Sequence, residues 1–125
     1  MEPKYLIDTN VLIDAQMNNL PETGMKFLKK IIDTDFTVSF ITYIEFPGYR
    51  EITKGTEGFI SLSNVLEINK EIIQGCIRLR RTTAIKLPDA IIAATAISFG
   101  LHLITRNTGD FKNITKLKLI DPWNL

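Results

Sequence analysis

Near its start the 125-residue chain carries Tyr5-Leu6-Ile7-Asp8-Thr9-Asn10-Val11-Leu12-Ile13-Asp14. The apolar run that opens this stretch consists of residue types that favour strands, and it ends at a carboxylate. Apolar residues at helical spacing follow at once, so the stretch predicts a strand, a turn and a helix. Asp8 then lies at the carboxyl end of a strand, where ligands bind in open α/β sheets. A simpler interpretation is that Asp8, Thr9 or Asn10 only caps the helix, and the stretch alone leaves both open.

Length and composition predict one domain without a membrane segment. A chain of 125 residues with 45% hydrophobic content can bury a core but is short for two ordinary domains, so we expect a single domain over 1–125. Its apolar runs are broken by charges, and its N-terminus has no basic-then-apolar leader. Cys76 is the single cysteine, which fits a reducing, cytoplasmic location. The net charge of +1 does not select a class of partner.

Strand and helix patterns alternate along the rest of the chain, which predicts the α/β class with a parallel sheet. The predicted elements after the first helix are helices over 22–33, 69–81 and 90–99 and strands over 36–40, 65–68, 101–104 and 118–120. Thr42 is expected to cap a short helix, with Glu45 completing a capping box, and Pro47 to end or kink it. Between 50 and 63 we expect short helical pieces outside the core.

The helix that begins after Asn69 has a predicted inward face. Its apolar positions follow helical spacing, and the helix ends in a group of arginines. The residues expected to face inward are Ile72, Ile73, Cys76, Ile77 and Leu79.

Four acids occupy one kind of position in this pattern. They are Asp8 after the first strand, Glu45 after the second, Asp89 at the start of the most apolar helix and Asp110 after the fourth strand. In a parallel sheet all four would project from the same edge, where carboxylates repel one another unless a proton or cation lies between them. Oxygen ligands without histidine or cysteine select Mg²⁺ or Mn²⁺, which can activate a water and stabilise the leaving oxygen in phosphoryl displacement. Each acid also has a structural explanation. Asp8 fits an N-cap, Glu45 part of a capping box, Asp89 a first-turn acid that the helix dipole favours, and Asp110 a residue of the polar turn predicted over 105–110.

Four stretches, in family order, resemble the motifs of PIN-domain ribonucleases, most closely the VapC-type toxins of prokaryotic toxin–antitoxin pairs. The stretches are Leu6–Ile13, Thr42 with Glu45, Leu87–Ala96 and Leu103–Phe111. The resemblance implies a PIN-like three-layer α/β/α sandwich with a mainly parallel central sheet. It also implies an endoribonuclease that hydrolyses RNA phosphodiester bonds with Mg²⁺ or Mn²⁺, forms homodimers and is inhibited by a small cognate antitoxin.

The family's functional residues carry over to matching positions of this chain. The implied catalytic residues and metal ligands are Asp8, Glu45, Asp89 and Asp110, and the implied supporting polar residues are Thr9, Asn10, Thr105 and Asn107. This chain differs at Phe46-Pro47-Gly48, where such proteins usually continue the helix. The interruption leaves the orientation of Glu45 open.

Four arginines are candidates for contacts with the RNA backbone, on electrostatic grounds. Arg78, Arg80 and Arg81 gather at the end of the helix that follows Asn69, and Arg106 follows the fourth strand. Cations at a helix C-terminus also complement the helix dipole, so a solvated helix end explains the first three equally well.

Other classes of protein place acids at strand ends. A phosphatase with an aspartyl nucleophile needs a second aspartate two residues after Asp8, where Asn10 stands. A phospho-acceptor receiver needs an aspartate at the end of the third strand, where Ile68 and Asn69 stand. A degenerate PIN domain that only binds RNA or a protein is the remaining alternative, and the four acids argue against it.

Overall fold

Strands and helices alternate in the computed structural model of the chain, which describes residues 3–49 and 55–125. In chain order the elements are β1 (Tyr5–Ile7), α1 (Thr9–Gln16), α2 (Glu22–Asp35), β2 (Thr37–Ser39), α3 (Phe40–Glu45), α4 (Thr56–Ile60), β3 (Asn64–Leu66), α5 (Lys70–Thr82), α6 (Leu87–Phe99), β4 (His102–Ile104), α7 (Thr108–Phe111) and β5 (Leu119–Ile120). Every strand predicted from the sequence is present, within two residues at each end.

The paired strands are all parallel. β1 pairs with β4 and β4 with β5, while β2 pairs with β3. β1 also contacts β2, so the two hydrogen-bonded ladders lie in the spatial order β3-β2-β1-β4-β5. The carboxyl ends of β1, β2 and β4 therefore meet at one edge of the sheet.

Alternate residues of the central strands face opposite helical layers. Leu6 and Leu103 pack in one core with α5 and α6, whereas Ile7 and Ile104 pack in the other with α1 and α2. All four side chains are fully buried. Because successive side chains of a strand point to opposite faces, the sheet separates two layers of helices. The predicted three-layer α/β/α sandwich is confirmed.

The most apolar helix, α6, is buried in its middle as predicted, but Leu87 and Phe99 at its two ends are exposed. Residues 90–96 are all buried. Pro88 lies in its first turn, where its missing N–H costs nothing, and Gly100 ends it with a φ of +66°, a conformation that glycine adopts without strain. At 13 residues α6 is too short to cross a bilayer, and the same holds for every other helix in the described ranges.

The prediction that Thr42 caps α3 is wrong. Ser39, the last residue of β2, occupies the N-cap, and its hydroxyl accepts a hydrogen bond from the Ile41 amide at 3.0 Å. Thr42 therefore lies inside the helix, fully buried, and forms no capping box with Glu45. Ser39 and Thr42 are both residue types that favour an N-cap, and only the position where β2 ends decides between them.

The short helical piece predicted between 50 and 63 is present as α4, but the prediction that it lies outside the core is wrong. Ile60 is buried, and the Phe59 ring packs against the rings of Phe36 and Phe46. Phe46 is itself fully buried and keeps helical dihedrals of φ −64° and ψ −51°, although Pro47 follows. Burial of the ring outweighs the preference for extended backbone before proline. Residues 50–54, which belong to the same predicted segment, lie outside the described residues.

The inward face of α5 is narrower than predicted. Ile72 and Cys76 are buried, but Ile73 and Ile77 are exposed. α5 approaches α6 at Gly75, where an added Cβ would lie 3.2 Å from the Ala94 side chain. The contact with α6 runs along the row of α5 that holds Ile72, Gly75 and Cys76, and Ile73 and Ile77 lie outside it.

Candidate active site

Asp8 both caps α1 and lies in the acid cluster, so the two interpretations of this residue hold together. Its carboxylate accepts hydrogen bonds from the Thr9 amide at 2.8 Å, the Thr105 hydroxyl at 2.8 Å and the Asn10 side-chain amide at 3.3 Å. Only 5% of Asp8 is exposed. Burial raises the pKa of Asp8 to about 6 against the opposing effect of two of these hydrogen bonds, and the negative charges of Asp89 and Glu45 add to the rise.

Glu45, the last residue of α3, is tied to the start of α1. The Thr9 hydroxyl lies 2.8 Å from the Oε1 atom of Glu45 and 2.9 Å from the Thr42 hydroxyl. A carboxylate can only accept, so Thr9 donates to Glu45, and its other contact joins two hydroxyls. The helix ends at Glu45 before Pro47, and the carboxylate still reaches the residue next to Asp8.

Asp89 and Asp110 approach the same edge from the opposite helical layer. Asp89 lies in the first turn of α6, and Asp110 lies in α7, a short helix where a turn was predicted. Burial raises the pKa of Asp89, and the charges of Asp110 and Glu45 raise it further, while nearby Lys86 lowers it. The four predicted acids therefore act on one another electrostatically across a single edge of the sheet.

The chemistry of this donor set fits a hard cation. All four predicted ligands are carboxylates, which suit Mg²⁺ or Mn²⁺. Within residues 3–49 and 55–125, no three acid, histidine or cysteine side chains already form a group that could hold a metal ion. The carboxylates are thus near enough for their charges to raise the pKa of Asp8 and Asp89, but they are not gathered for joint ligation.

The supporting polar residues contribute in different ways. Thr9, Asn10 and Thr105 each bond an acid through the side chain. Asn107 contributes its main-chain amide, which donates to the Thr105 hydroxyl at 3.1 Å. Its side chain makes no capping hydrogen bond at the start of α7. The loop after β4 thus orients the Thr105 hydroxyl, and this hydroxyl in turn holds the Asp8 carboxylate.

Arg106 is held at the α1 side of the site. Its guanidinium lies 4.8 Å from the centre of the Trp123 ring, and its Nη1 atom lies 3.5 Å from a carboxylate oxygen of Asp14. Its main-chain amide donates to the Asn10 side chain at 3.4 Å. The contacts of Trp123 and Asp14 with Arg106 were not predicted from the sequence. The available signal was that Trp123 is the only tryptophan of the chain and follows a proline.

The three arginines predicted to cluster at the end of α5 lie in two different places. Arg78 lines a groove with Ile97 and Ser98, near the far end of α6 from the acids. Arg80 and Arg81 are exposed in the last turn of α5, next to the 83–86 loop that leads to Asp89. Contact of any of them with RNA stays a prediction.

Comparisons with known proteins agree on one family. The family model described as PIN domain matches residues 5–117. Ribonuclease VapC1 of Haemophilus influenzae strain R2866 is 29% identical, with 94% of this chain and 96% of that protein covered. A toxin–antitoxin complex from Klebsiella pneumoniae contains a chain that is 32% identical, with a TM-score of 0.76 and coverage of 98% of this chain and 100% of that chain. DNA-bound VapBC from Salmonella typhimurium contains a chain that is 26% identical, with a TM-score of 0.79 and coverage of 97% and 99%.

Proposed function

The chain belongs to the PIN domain family, and on this premise we propose that it is a metal-dependent endoribonuclease, the toxin of a toxin–antitoxin pair. Similar proteins named Ribonuclease VapC1 and a similar chain in a toxin–antitoxin complex support the proposal. The observation that carries it is the convergence of Asp8, Glu45, Asp89 and Asp110, where burial and mutual repulsion raise the pKa of Asp8 and Asp89. Such perturbed groups cluster at functional sites.

We propose that these four acids hold Mg²⁺ or Mn²⁺. The bound ion supplies positive charge at the scissile phosphate and a more acidic water for attack on it. Thr105 and the Thr9 amide hold Asp8, and the Thr9 hydroxyl holds Glu45. Two of the four ligands are therefore fixed by the protein before any ion arrives, which reduces the reorganisation that binding requires.

The proposed RNA substrate carries a negative backbone that needs cations around the acidic site. Arg106 is kept in place by Trp123 and Asp14 on one side of the site. Arg80 and Arg81 are exposed on the other side. Cations at these places would contact phosphates and release counterions, which adds affinity without adding sequence preference.

The proposed protein partners are a small cognate antitoxin and a second copy of this chain. Exposed apolar side chains provide surface for such contacts, with Ile44 of α3 65% exposed and Leu62 after α4 77% exposed. Size-exclusion chromatography with and without the product of the adjacent reading frame tests both proposals. A monomer at all concentrations would contradict the homodimer, and separate elution of the two proteins would contradict the antitoxin.

The experiment that tests the enzymatic proposal is RNA cleavage by the purified protein. Cleavage should require Mg²⁺ or Mn²⁺, stop in EDTA and be lost in Asp8→Asn, because one change removes a metal ligand and an organiser of the site. Asp33→Asn removes an exposed acid of α2 and should leave cleavage unchanged. Cleavage that persists in EDTA would contradict the metal mechanism. No observation favours the alternative of a degenerate, non-catalytic PIN domain. That alternative would be supported if the protein bound RNA but did not cleave it with either Mg²⁺ or Mn²⁺.

A further inference from the structure

A cavity of about 220 Å³ opens beside Asp89 and Asp110. One wall is the 83–86 loop between α5 and α6, and the other is the segment after α7 that contains Asn113 and Ile114. Complete small-molecule sites usually measure about 300–1,000 Å³, so this cavity suits a smaller group such as one nucleobase.

Main-chain hydrogen bonds hold both walls in place. The Thr83 amide donates to the Leu79 carbonyl at 2.9 Å, and the Ala90 amide donates to the Lys86 carbonyl at 2.9 Å. On the other side, the Ile114 amide donates to the Phe111 carbonyl at 3.1 Å. The cavity is therefore part of the fold and need not be formed by a ligand.

The lining combines an apolar surface with groups that bind a base and a phosphate. Ile85 and Ile114 are buried and provide apolar surface, against which a base can stack. The Asn113 amide can donate and accept hydrogen bonds at a base edge. Lys86 supplies a cation next to Asp89. In the described part of the chain, the Lys86 ammonium is attracted to Asp89 but forms no close ion pair, and the Asn113 side chain has no hydrogen-bond partner.

We propose that this cavity binds one unpaired base of the RNA substrate next to the phosphate that is cut, with Asn113 reading its edge and Lys86 contacting the adjacent phosphate. The inference rests on the proposed ribonuclease function and adds a determinant of which bond is cut. Unpaired bases that are splayed out and bonded along their edges are the usual route to sequence preference in RNA binding. Cations alone, such as the arginines, would bind all sequences alike.

The first test maps cleavage sites in a single-stranded RNA pool of random sequence with Mg²⁺ or Mn²⁺. The wild type should favour certain bases at one position next to the cut, and Asn113→Ala should weaken that preference about fivefold, near the lower limit of a base contact. Asn64→Ala removes an exposed amide of β3, away from the cavity, and should leave the preference unchanged. Unchanged base frequencies in Asn113→Ala would overturn the inference. Both asparagines are exposed, so both variants should fold, which thermal melting verifies.

The second test needs no cleavage and separates this inference from the proposed function. Binding of the same RNA pool in EDTA is measured at several salt concentrations. Lys86→Ala should lower the salt slope by about 0.7, the value for one phosphate contact of a single strand. Lys29→Ala on α2 should not change the slope. A slope unchanged by Lys86→Ala would exclude the phosphate contact.

The two failures have different signatures. If the wild type cuts no RNA with either metal, the proposed function fails, and a lower salt slope in Lys86→Ala would still support the cavity as an RNA site. If the wild type cuts RNA but Asn113→Ala keeps the same cut sites, the ribonuclease stands and the base-reading cavity is refuted.

Discussion

Replacing Asp8 by asparagine should reverse the stability ranking of the metal-free protein between acid and neutral pH. The folded protein raises the pKa of Asp8 from the ordinary 3.8 to about 6, chiefly by burial. Below the lower value the carboxyl is protonated in both folded and unfolded chains. Between the two values only the folded chain keeps the proton, so the stability of the wild type falls as the pH rises through this window.

The size of this effect follows from the pKa difference. Above pH 6 the ionised Asp8 should lower the free energy of unfolding by about 3 kcal/mol relative to acid pH. In Asp8→Asn the new NH2 group replaces the oxygen that accepts from both the Asn10 side chain and the Thr105 hydroxyl. The NH2 group can donate to the Thr105 hydroxyl instead, so one hydrogen bond is lost, which costs about 1 kcal/mol. The variant should therefore be less stable than wild type by about 0.4 kcal/mol near pH 4, where Asp8 of the unfolded chain is already more than half ionised, and more stable by about 2 kcal/mol near pH 7.5.

The assay is urea unfolding in EDTA at a series of pH values between about 4 and 7.5. The two stability curves should cross within this range, whereas the curve of Asp33→Asn should run parallel to that of wild type. Mg²⁺ at neutral pH should restore the stability of the wild type more than that of Asp8→Asn, since an ion that binds only the folded state stabilises it. Parallel curves for wild type and Asp8→Asn would refute the assignment of the destabilising charge to Asp8.

The remaining predictions concern a second acid, the basic helix end and a close backbone contact. Asp89→Asn should raise the Tm of the metal-free protein, because it removes repulsion between Asp89 and the neighbouring acids. Mg²⁺ should raise the Tm of this variant less than that of wild type, and equal shifts would show that Asp89 is not a metal ligand. Replacing Arg80 and Arg81 by alanine should lower the salt slope of RNA binding by about 1.4, and an unchanged slope would leave them as a solvated helix end. Gly24→Ala should cost about 1–3 kcal/mol of unfolding free energy, because its Cβ would collide with the main chain of the C-terminal segment. Gly58→Ala is its control, because a Cβ there would meet no atom within 4 Å beyond its chain neighbours and the backbone of α4. An equal loss in both variants would contradict the collision.

Topology made the acid cluster predictable. A strand that ends at Asp8, a buried helix that begins near Asp89 and an alternating pattern imply a parallel sheet, and parallel strands carry their carboxyl ends to one edge. Each acid was therefore assigned from its position relative to a strand or helix end. The spacing between the carboxylates could not be predicted, because it depends on side-chain contacts such as that between Thr9 and Glu45.

Contacts between segments distant in sequence were not predictable. Nothing in the local pattern indicates that Trp123 packs against Arg106, or that the 83–86 loop and the segment after α7 enclose a cavity. The exposure of Ile73 and Ile77 also depends on which row of α5 faces α6, which periodicity alone does not reveal. Hydrophobic periodicity identifies an apolar stripe, but the width of the contact is decided by the partner helix.

The hydrogen bond from Thr105 to Asp8 joins residues that are 97 positions apart. Because β1 pairs with β4, the Asp8 carboxylate after β1 can be fixed only once β4 has been synthesised. Loop closure over such a separation cannot precede synthesis of the second strand. The order of synthesis therefore acts as a delay: a nascent chain that has not yet exposed β4 cannot assemble the proposed nuclease site and cannot cut the message on which it is being made.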